Sequence, residues 1–208
     1  MIRVCKAPEP EWFPDWKKQK EKGRQPTSDA HVENSRLRDA LIDEQGSLCC
    51  YCGQRIDTNE SHIEHFRPQS KYPELDTDYG NMHASCESKS NCGQKKGDSF
   101  DEALCISPLE VEEGRFLYTL GGEICPKDQS DQAAAYMIEI LKLNASALVG
   151  RRKEMLMTFL LPKLQRDASL EDLKNMRDAF QKRDGSRFYQ TFRQVLTCYI
   201  DQLSAPQS

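Results

Sequence analysis

Apolar positions along the chain predict a mixed α and β protein whose helices are concentrated in its second half. Leu37 and Leu41 recur at helical spacing and predict a helix over 29–45 that ends at Gly46. From residue 130 onward the pattern is helical almost throughout. It predicts helices over 131–143, 145–165 (interrupted by Pro162), 169–182 (opened by a capping box at Ser169) and 186–203.

Shorter segments in the middle of the chain predict strands. Residues 61–66 read SHIEHF and stop at Arg67-Pro68, and residues 81–84 supply a returning strand. A helix is expected to start at Gly93 and run toward Phe100. Strand, loop, strand and helix in this order predict a ββα unit. A β-hairpin with Gly121-Gly122 in its turn is expected next, over 115–125.

The beginning of the chain carries no clear periodicity. Residues 1–16 contain three prolines and both tryptophans, which favours an extended arm lying over the core. The polar, basic run over 17–24 predicts a solvated helix or loop.

Composition narrows the functional classes. The 208 residues suffice for one sizeable core, and the net charge of −4 does not by itself indicate a nucleic-acid binder, although it permits a local basic face. No apolar run could cross a membrane and no signal peptide opens the sequence, so we expect a cytoplasmic protein that makes no membrane contact. In that compartment nine cysteines indicate metal ligands or free thiols rather than disulfides.

Two cysteine pairs bracket the most polar part of the chain. Cys49-x2-Cys52 followed by a glycine is typical of a zinc knuckle, and Cys86 and Cys92 complete a set of four thiolates, which favours structural zinc. Cys50 lies inside the first turn and is expected not to bind the metal. Four buried free thiols, or a redox-active C-x2-C, are the alternatives.

Between the cysteine pairs lie the side chains that suggest catalysis. Glu64 and His65 are adjacent, and Asn81 follows sixteen residues after His65. Adjacent residues of a regular strand point to opposite faces, so Glu64 and His65 can serve one site only where the strand bulges or ends.

Four motifs together resemble the HNH endonuclease superfamily: C-x-Y-C-G at 49–53, I-E-H-F-R-P at 63–68, the central Asn81, and C-x-x-K-K-G-D at 92–98. Within it, the chain is similar to the PtuB-like subgroup, whose members pair with an ATPase in Septu-type and retron-associated anti-phage systems. The motifs span about 50 residues, 49–98.

The resemblance implies an α+β fold in which a zinc-stapled ββα (HNH) unit packs against a mostly helical remainder. It divides the chain into an arm and helix (1–48), the nuclease unit with its hairpin (49–126) and a helical region (127–208). It implies metal-dependent hydrolysis of DNA or RNA with structural zinc and catalytic Mg²⁺ or Mn²⁺, and an ATPase partner of the PtuA type.

The resemblance also implies roles for individual residues. His65 would be the general base, Glu64 would bind the catalytic metal, and Asn81 would orient His65 or fix the loop. Lys95 and Lys96 would contact a substrate phosphate.

One position departs from the family pattern. The family carries a His or Asn metal ligand just after the last cysteine, where this chain has Gly93. Side chains that could replace it are Gln94 and His83, with His62, Asn91 and Asp98 as further candidates. The same departure supports an alternative function, a catalytically degenerate zinc module that binds nucleic acid or a partner protein.

Overall fold

The computed structural model describes residues 1–21, 28–182 and 191–204, which form an α+β structure with two small antiparallel sheets. The strands are β1 (Ser61–His65), β2 (Met82–Cys86), β3 (Phe116–Tyr118) and β4 (Ile124–Pro126). The helices are α1 (Phe13–Glu21), α2 (Ser28–Glu44), α3 (Cys92–Lys96), α4 (Gln132–Ile140), α5 (Ser146–Phe159), α6 (Leu161–Leu164), α7 (Leu170–Gln181) and α8 (Arg193–Ser204).

The sheet of β1 and β2 separates two groups of side chains. The antiparallel register pairs Ser61 with Cys86 and His65 with Met82, so the side chains of paired residues emerge on the same face. One face carries Ile63 and His65 and meets α2. The opposite face carries the side chains of His62, Glu64, His83 and Ser85 and meets α3.

α2 leads the chain directly into the first cysteine pair. Its apolar stripe is fully buried at Leu37 and Leu41, as the spacing predicted. Gly46 (φ 63°) and Ser47 (φ 62°) reverse the chain in the left-handed region after the helix. The following turn closes with a hydrogen bond from the backbone N–H of Gly53 to the carbonyl of Cys49, 3.0 Å long.

The second half of the chain is helical around the β3–β4 hairpin. The predicted capping box at Ser169 is present, because its hydroxyl accepts from the N–H of Asp172 and the Asp172 carboxylate accepts from the N–H of Ser169. The N-terminal side of α8 contacts the first cysteine turn. There the N–H of Phe192 donates to the Gly53 carbonyl and the Gln194 amide donates to the Cys52 carbonyl, both at 2.8 Å.

Three predicted elements require correction. The extended arm is shorter than expected, because α1 begins at Phe13 and buries its ring against Trp16. The helix expected from Gly93 toward Phe100 ends at Lys96, because Gly97 adopts a φ of 49°. The Gly121-Gly122 pair is expected to supply positive φ in the hairpin turn, but only Gly122 has it (91°). The first five residues of the helix predicted over 186–203 lie outside the described residues; α8 begins at Arg193.

Buried apolar side chains from all three predicted segments form one cluster, and the proposed division into segments stays a prediction. Among the described helices, none is both long and apolar enough to cross a bilayer.

The hairpin packs so closely on α5 that it gives a stability prediction. A Cβ at Gly122 would lie 2.3 Å from the carbonyl oxygen of Val149, and φ there is +91°. Gly122→Ala is therefore expected to lower the free energy of unfolding by about 2–4 kcal/mol. Gly150→Ala, on α5 with no atom within 4 Å of the added Cβ, should raise it by about 0.5–1 kcal/mol. Urea unfolding measures both; equal effects would contradict the close hairpin–helix contact.

Candidate functional site

Four buried sulfur atoms converge from three segments of the chain. Cys49 and Cys52 come from the turn after α2, Cys86 ends β2, and Cys92 begins α3. Their Sγ atoms all lie within 4.8 Å of one another, and each residue is at most 2 % exposed. Tetrahedral zinc with Zn–S bonds of about 2.3 Å needs four sulfurs at roughly such separations, so the set fits structural zinc.

Local hydrogen bonds orient these sulfurs. The N–H of Cys86 lies 3.4 Å from Cys49 Sγ, and the side-chain amide of Asn91 lies 3.5 Å from Cys92 Sγ. Asn91, one of the substitute ligands considered for the catalytic metal, therefore contacts the cysteine cluster instead. Cys50 is buried but is not part of the four-sulfur set, as expected.

Glu64 lies on the sheet face beside this cluster, where it is buried and contacts three polar side chains. Its Oε1 lies 2.8 Å from Lys96 Nζ and accepts from the Tyr51 hydroxyl at 3.0 Å. Its Oε2 lies 3.4 Å from Nε2 of His62. Burial would raise the pKa of Glu64, but the hydrogen bond from His62 and the Lys96 ammonium together lower that pKa below its ordinary value. Glu64 is thus an anion at neutral pH.

His62 connects Glu64 to the surface. Its Nδ1 lies 3.0 Å from a carboxylate oxygen of Glu87, and the other oxygen of Glu87 accepts from Gln94. Burial would lower the pKa of His62, yet Glu64 and Glu87 together raise it above the ordinary value. Gln94, which was considered as a replacement metal ligand, supports Glu87 and reaches the pair only through it.

Gly93 closes the back of this pair. A Cβ built on Gly93 would lie 2.3 Å from Glu64 Oε2 and 2.6 Å from His62 Nε2. Glu64 and His62 therefore occupy the space into which a side chain at position 93 would project, the position at which the family pattern has a metal ligand.

The structure places the two predicted phosphate-contacting lysines in different environments. Lys95 is exposed, whereas the side chain of Lys96 is 1 % exposed and its ammonium is bound by Glu64 and by the carbonyl of His65 at 3.2 Å. Lys96 neutralises the carboxylate rather than facing solvent.

His65 lies on the other face of the sheet from Glu64. Its Nε2 lies 3.0 Å from the backbone carbonyl of Asp76 and 3.7 Å from the carboxylate of the same residue. Burial lowers the pKa of His65 below its ordinary value, so the ring is neutral near pH 7. The structure thus does not bring the imidazole and Glu64 together.

The His65 ring forms part of the wall of a cavity of about 230 Å³ between the sheet and the first two helices. Two cationic residues, Lys20 and Arg38, line the same cavity, as do Trp16, Asn34, Leu37, Ile63 and Met82. Lys20 is paired with Asp76 at 2.7 Å.

Asn81 fixes the loop that holds Asp76. Its side-chain oxygen accepts from the N–H of Arg67 at 2.8 Å, and its amide donates to the carbonyls of Arg67 (3.0 Å) and Leu75 (3.3 Å). Of the two roles considered for Asn81, the contacts show loop fixation and no direct hydrogen bond to His65.

His83 lies on the same face of the sheet as Glu64, but its ring makes no hydrogen bond to Glu64 or His62. It is fully buried, neither ring nitrogen has a hydrogen-bond partner among the described residues, and burial lowers its pKa to about 3. Over the described residues only the four cysteines form a set of three or more close metal donors, so His83 does not complete one with His62 and Glu64.

No family model matches the chain. It is 30% identical over 132 residues to a protein named "Retron Vc95 putative HNH endonuclease" from Vibrio cholerae serotype O1 biovar El Tor, covering 58% of this chain and 63% of that protein. It is 29% identical over 112 residues to "Septu protein PtuB" from Bacillus thuringiensis, covering 50% of this chain and 40% of that protein. These similarities support an HNH, PtuB-like assignment for the chain. The chain matches less than two thirds of the length of either relative.

Sequence reasoning missed three contacts in this candidate site. The sequence indicates Tyr51 only as part of the cysteine motif, yet its hydroxyl donates to Glu64. Glu87 contacts His62, and the backbone carbonyl of Asp76 contacts His65. The two-residue spacing of His62 and Glu64 on a strand could have signalled their pairing. Nothing in the sequence separates Asp76 from the other acidic residues of its loop.

The His62 environment gives a prediction about pH. Because the pKa of His62 is raised in the folded protein, protonated His62 stabilises the fold. This contribution is fully present at a pH below the ordinary pKa of 6.5 and is lost as the pH rises through the raised pKa. Glu87→Gln should lower the pKa of His62, and Glu64→Gln should lower it further. The His62 ring resonances in an NMR titration without added divalent ions measure this, with Glu113→Gln as the exposed control. An unchanged titration in Glu64→Gln would contradict the pairing.

Proposed function

We propose that the chain is a metal-dependent HNH nuclease that hydrolyses phosphodiester bonds in nucleic acid. The β1–β2–α3 order and the four-cysteine set would form its zinc-stapled ββα unit. The observation that carries the proposal is the fixation of neutral His65 by the Asp76 carbonyl, in a loop that Asn81 holds in place. The names of the two relatives support the same class of activity.

His65 has the properties of a general base. A ring nitrogen that donates to a backbone carbonyl fixes the tautomer and leaves the other nitrogen as a proton acceptor. Because the pKa of His65 is lowered, that acceptor is free at neutral pH. It would remove a proton from the attacking water.

Glu64 and His62 are the residues that would hold the catalytic metal. Glu64 Oε2 and His62 Nε2 lie 3.4 Å apart, while Glu64 Oε1 is occupied by Lys96 and Tyr51. The carboxylate suits Mg²⁺ or Mn²⁺, which keep several waters and accept substrate oxygens, and the neutral imidazole would add one nitrogen ligand. Such a metal supplies counter-charge for the phosphate and for the departing oxygen.

The alternation of β1 constrains where the substrate lies. Glu64 and His65 leave the strand on opposite faces, and His65 is the last residue of β1. The proposal therefore requires the reacting phosphate to lie at the end of β1, where groups from both faces can approach it.

The names of the two relatives support a proposal for the wider biological role. The names of both place them in retron and Septu systems. We infer that this chain serves as the nuclease subunit of such an anti-phage complex, together with an ATPase, and that DNA or RNA is its substrate.

A second function is favoured by one observation. The carboxylate that would bind the metal is already neutralised by the buried Lys96, and Gly93 supplies no ligand. A zinc module that binds nucleic acid or a partner without cleaving would have this arrangement. Nucleic-acid binding that persists without cleavage under every Mg²⁺, Mn²⁺ and ATPase condition would select it.

The general-base role predicts a large kinetic effect. His65→Ala should lower the cleavage rate by about 10²–10⁴-fold with Mg²⁺ or Mn²⁺ present, because the proton acceptor is lost. Partial recovery with added imidazole would distinguish lost chemistry from lost structure. Glu113→Gln, an exposed carboxylate away from the site, is the control. Cleavage by His65→Ala at the wild-type rate would exclude the mechanism.

The zinc clamp predicts a stability effect. Cys52→Ser removes one of four ligands and should unfold the region from the first cysteine turn to α3, because structural zinc supplies on the order of 10 kcal/mol of coupled binding and folding energy. Metal content by mass spectrometry and thermal unfolding measure this. Cys5→Ser, at an exposed cysteine outside the cluster, should change neither. Wild-type stability in Cys52→Ser would be inconsistent with the clamp.

A further inference from the structure

Arg152 is a buried cation without an acidic partner. It lies on α5, is fully buried, and forms no ion pair with any carboxylate in the described part of the chain. Its Nη1 donates to the carbonyls of Leu143 (2.7 Å) and Gly122 (3.3 Å). Its Nε and Nη2 have no partner among the described residues.

Such a side chain needs a compensating negative charge. A guanidinium stays protonated at any pH at which proteins fold, so burial cannot neutralise it. Removing an unpaired cation from water is costly, and two carbonyl contacts satisfy only part of its hydrogen-bonding capacity.

The contacts of Arg152 lead to the cysteine cluster. Its guanidinium carbon lies 5.6 Å from the ring centre of Tyr118 and 6.0 Å from that of Phe192. The N–H of Phe192 binds the carbonyl of Gly53, the residue after Cys52. Burial raises the pKa of Tyr118 to about 12, and its hydroxyl is influenced by both Arg152 and Cys52. Arg152 is therefore connected to the Cys52 side of the cluster through the side chains of Tyr118 and Phe192.

A loaded cluster would carry the missing charge. Four thiolates outweigh one Zn²⁺, so the complex is an anion buried in the core. The hydrogen-bonding groups seen around it are the Cys86 N–H and the Ser85 hydroxyl beside Cys49 and the Asn91 amide beside Cys92, all at long hydrogen-bond distances. None of these three groups is a cation.

We propose that Arg152 is the positioning residue that compensates the charge of the zinc–tetrathiolate complex, so that α5 and the cysteine cluster stabilise each other. The inference rests on the zinc part of the proposed function and is independent of nuclease activity. It explains why a guanidinium is tolerated in the core without a carboxylate.

Two substitutions separate charge from shape. Arg152→Met keeps an unbranched side chain of related length without the charge, and Arg152→Lys keeps the charge without the planar fork. Zinc affinity of the full-length chain is measured by competition with a chromophoric chelator. Loss of a partner outside the ligand set typically lowers metal affinity about 10–100-fold. We expect a loss of zinc affinity in this range for Arg152→Met. For Arg152→Lys we expect the zinc affinity to change by no more than about threefold. Lys153→Met, exposed on the same helix, should bind zinc as the wild type does.

Each other result has a definite meaning. Wild-type zinc affinity in Arg152→Met, or equal losses in the Met and Lys variants, would overturn the proposal. If Arg152→Met does not fold with zinc, Arg152→Lys decides: retained affinity supports charge compensation, and a tenfold or greater loss overturns it. If the wild type binds no zinc, the clamp fails and this inference with it; if the wild type binds zinc but cleaves nothing, only the nuclease proposal fails.

Discussion

The antiparallel pairing of β1 with β2 decides which motif residues can meet. Because side chains alternate along a strand, the register that pairs Glu64 with His83 places Glu64 and His62 on the α3 side and His65 on the α2 side. A slip of one residue would exchange the two sets and destroy both. The ends of the sheet are fixed by Cys86 at one side and by Asn81 at the other. The cluster and the pinned loop therefore matter because they hold a register.

The sequence predicted the parts of this site that depend on spacing. Cys49, Cys52, Cys86 and Cys92 were recognisable as one ligand set because tetrathiolate sites need paired cysteines on tight turns. The helix after 28 and the capping box at Ser169 followed from local chemistry. These features are local, or are repeated in known ways, so no knowledge of the tertiary structure was needed.

Features that depend on tertiary packing were not predictable. Lys96 resembles a surface lysine in sequence, and only the close approach of α3 to β1 shows that it is buried against Glu64. Gln94 carries an oxygen beside the expected ligand position, yet the short α3 directs it to Glu87. Tyr51 binds Glu64 because the cysteine turn folds over the sheet, and the turn sequence does not encode that. The buried position of Phe13 was not predictable either. It is the first residue of α1, in a segment where the prolines predict an extended arm.

Gly93 and Lys96 together change the charge beside Glu64, at the position where the family pattern has a metal ligand. A ligand side chain would share the metal with Glu64, whereas here the Glu64 and His62 side chains occupy the space of that ligand and a buried ammonium neutralises one carboxylate oxygen. A divalent ion at Glu64 Oε2 would then lie near Lys96, and like-charge repulsion would weaken its binding. An incoming phosphate would offset that repulsion, because its negative charge would attract both the divalent ion and the Lys96 ammonium. If the chain is the proposed nuclease, the metal and the nucleic acid would bind cooperatively, and a weak metal site in the absence of substrate would be the expected consequence of Lys96.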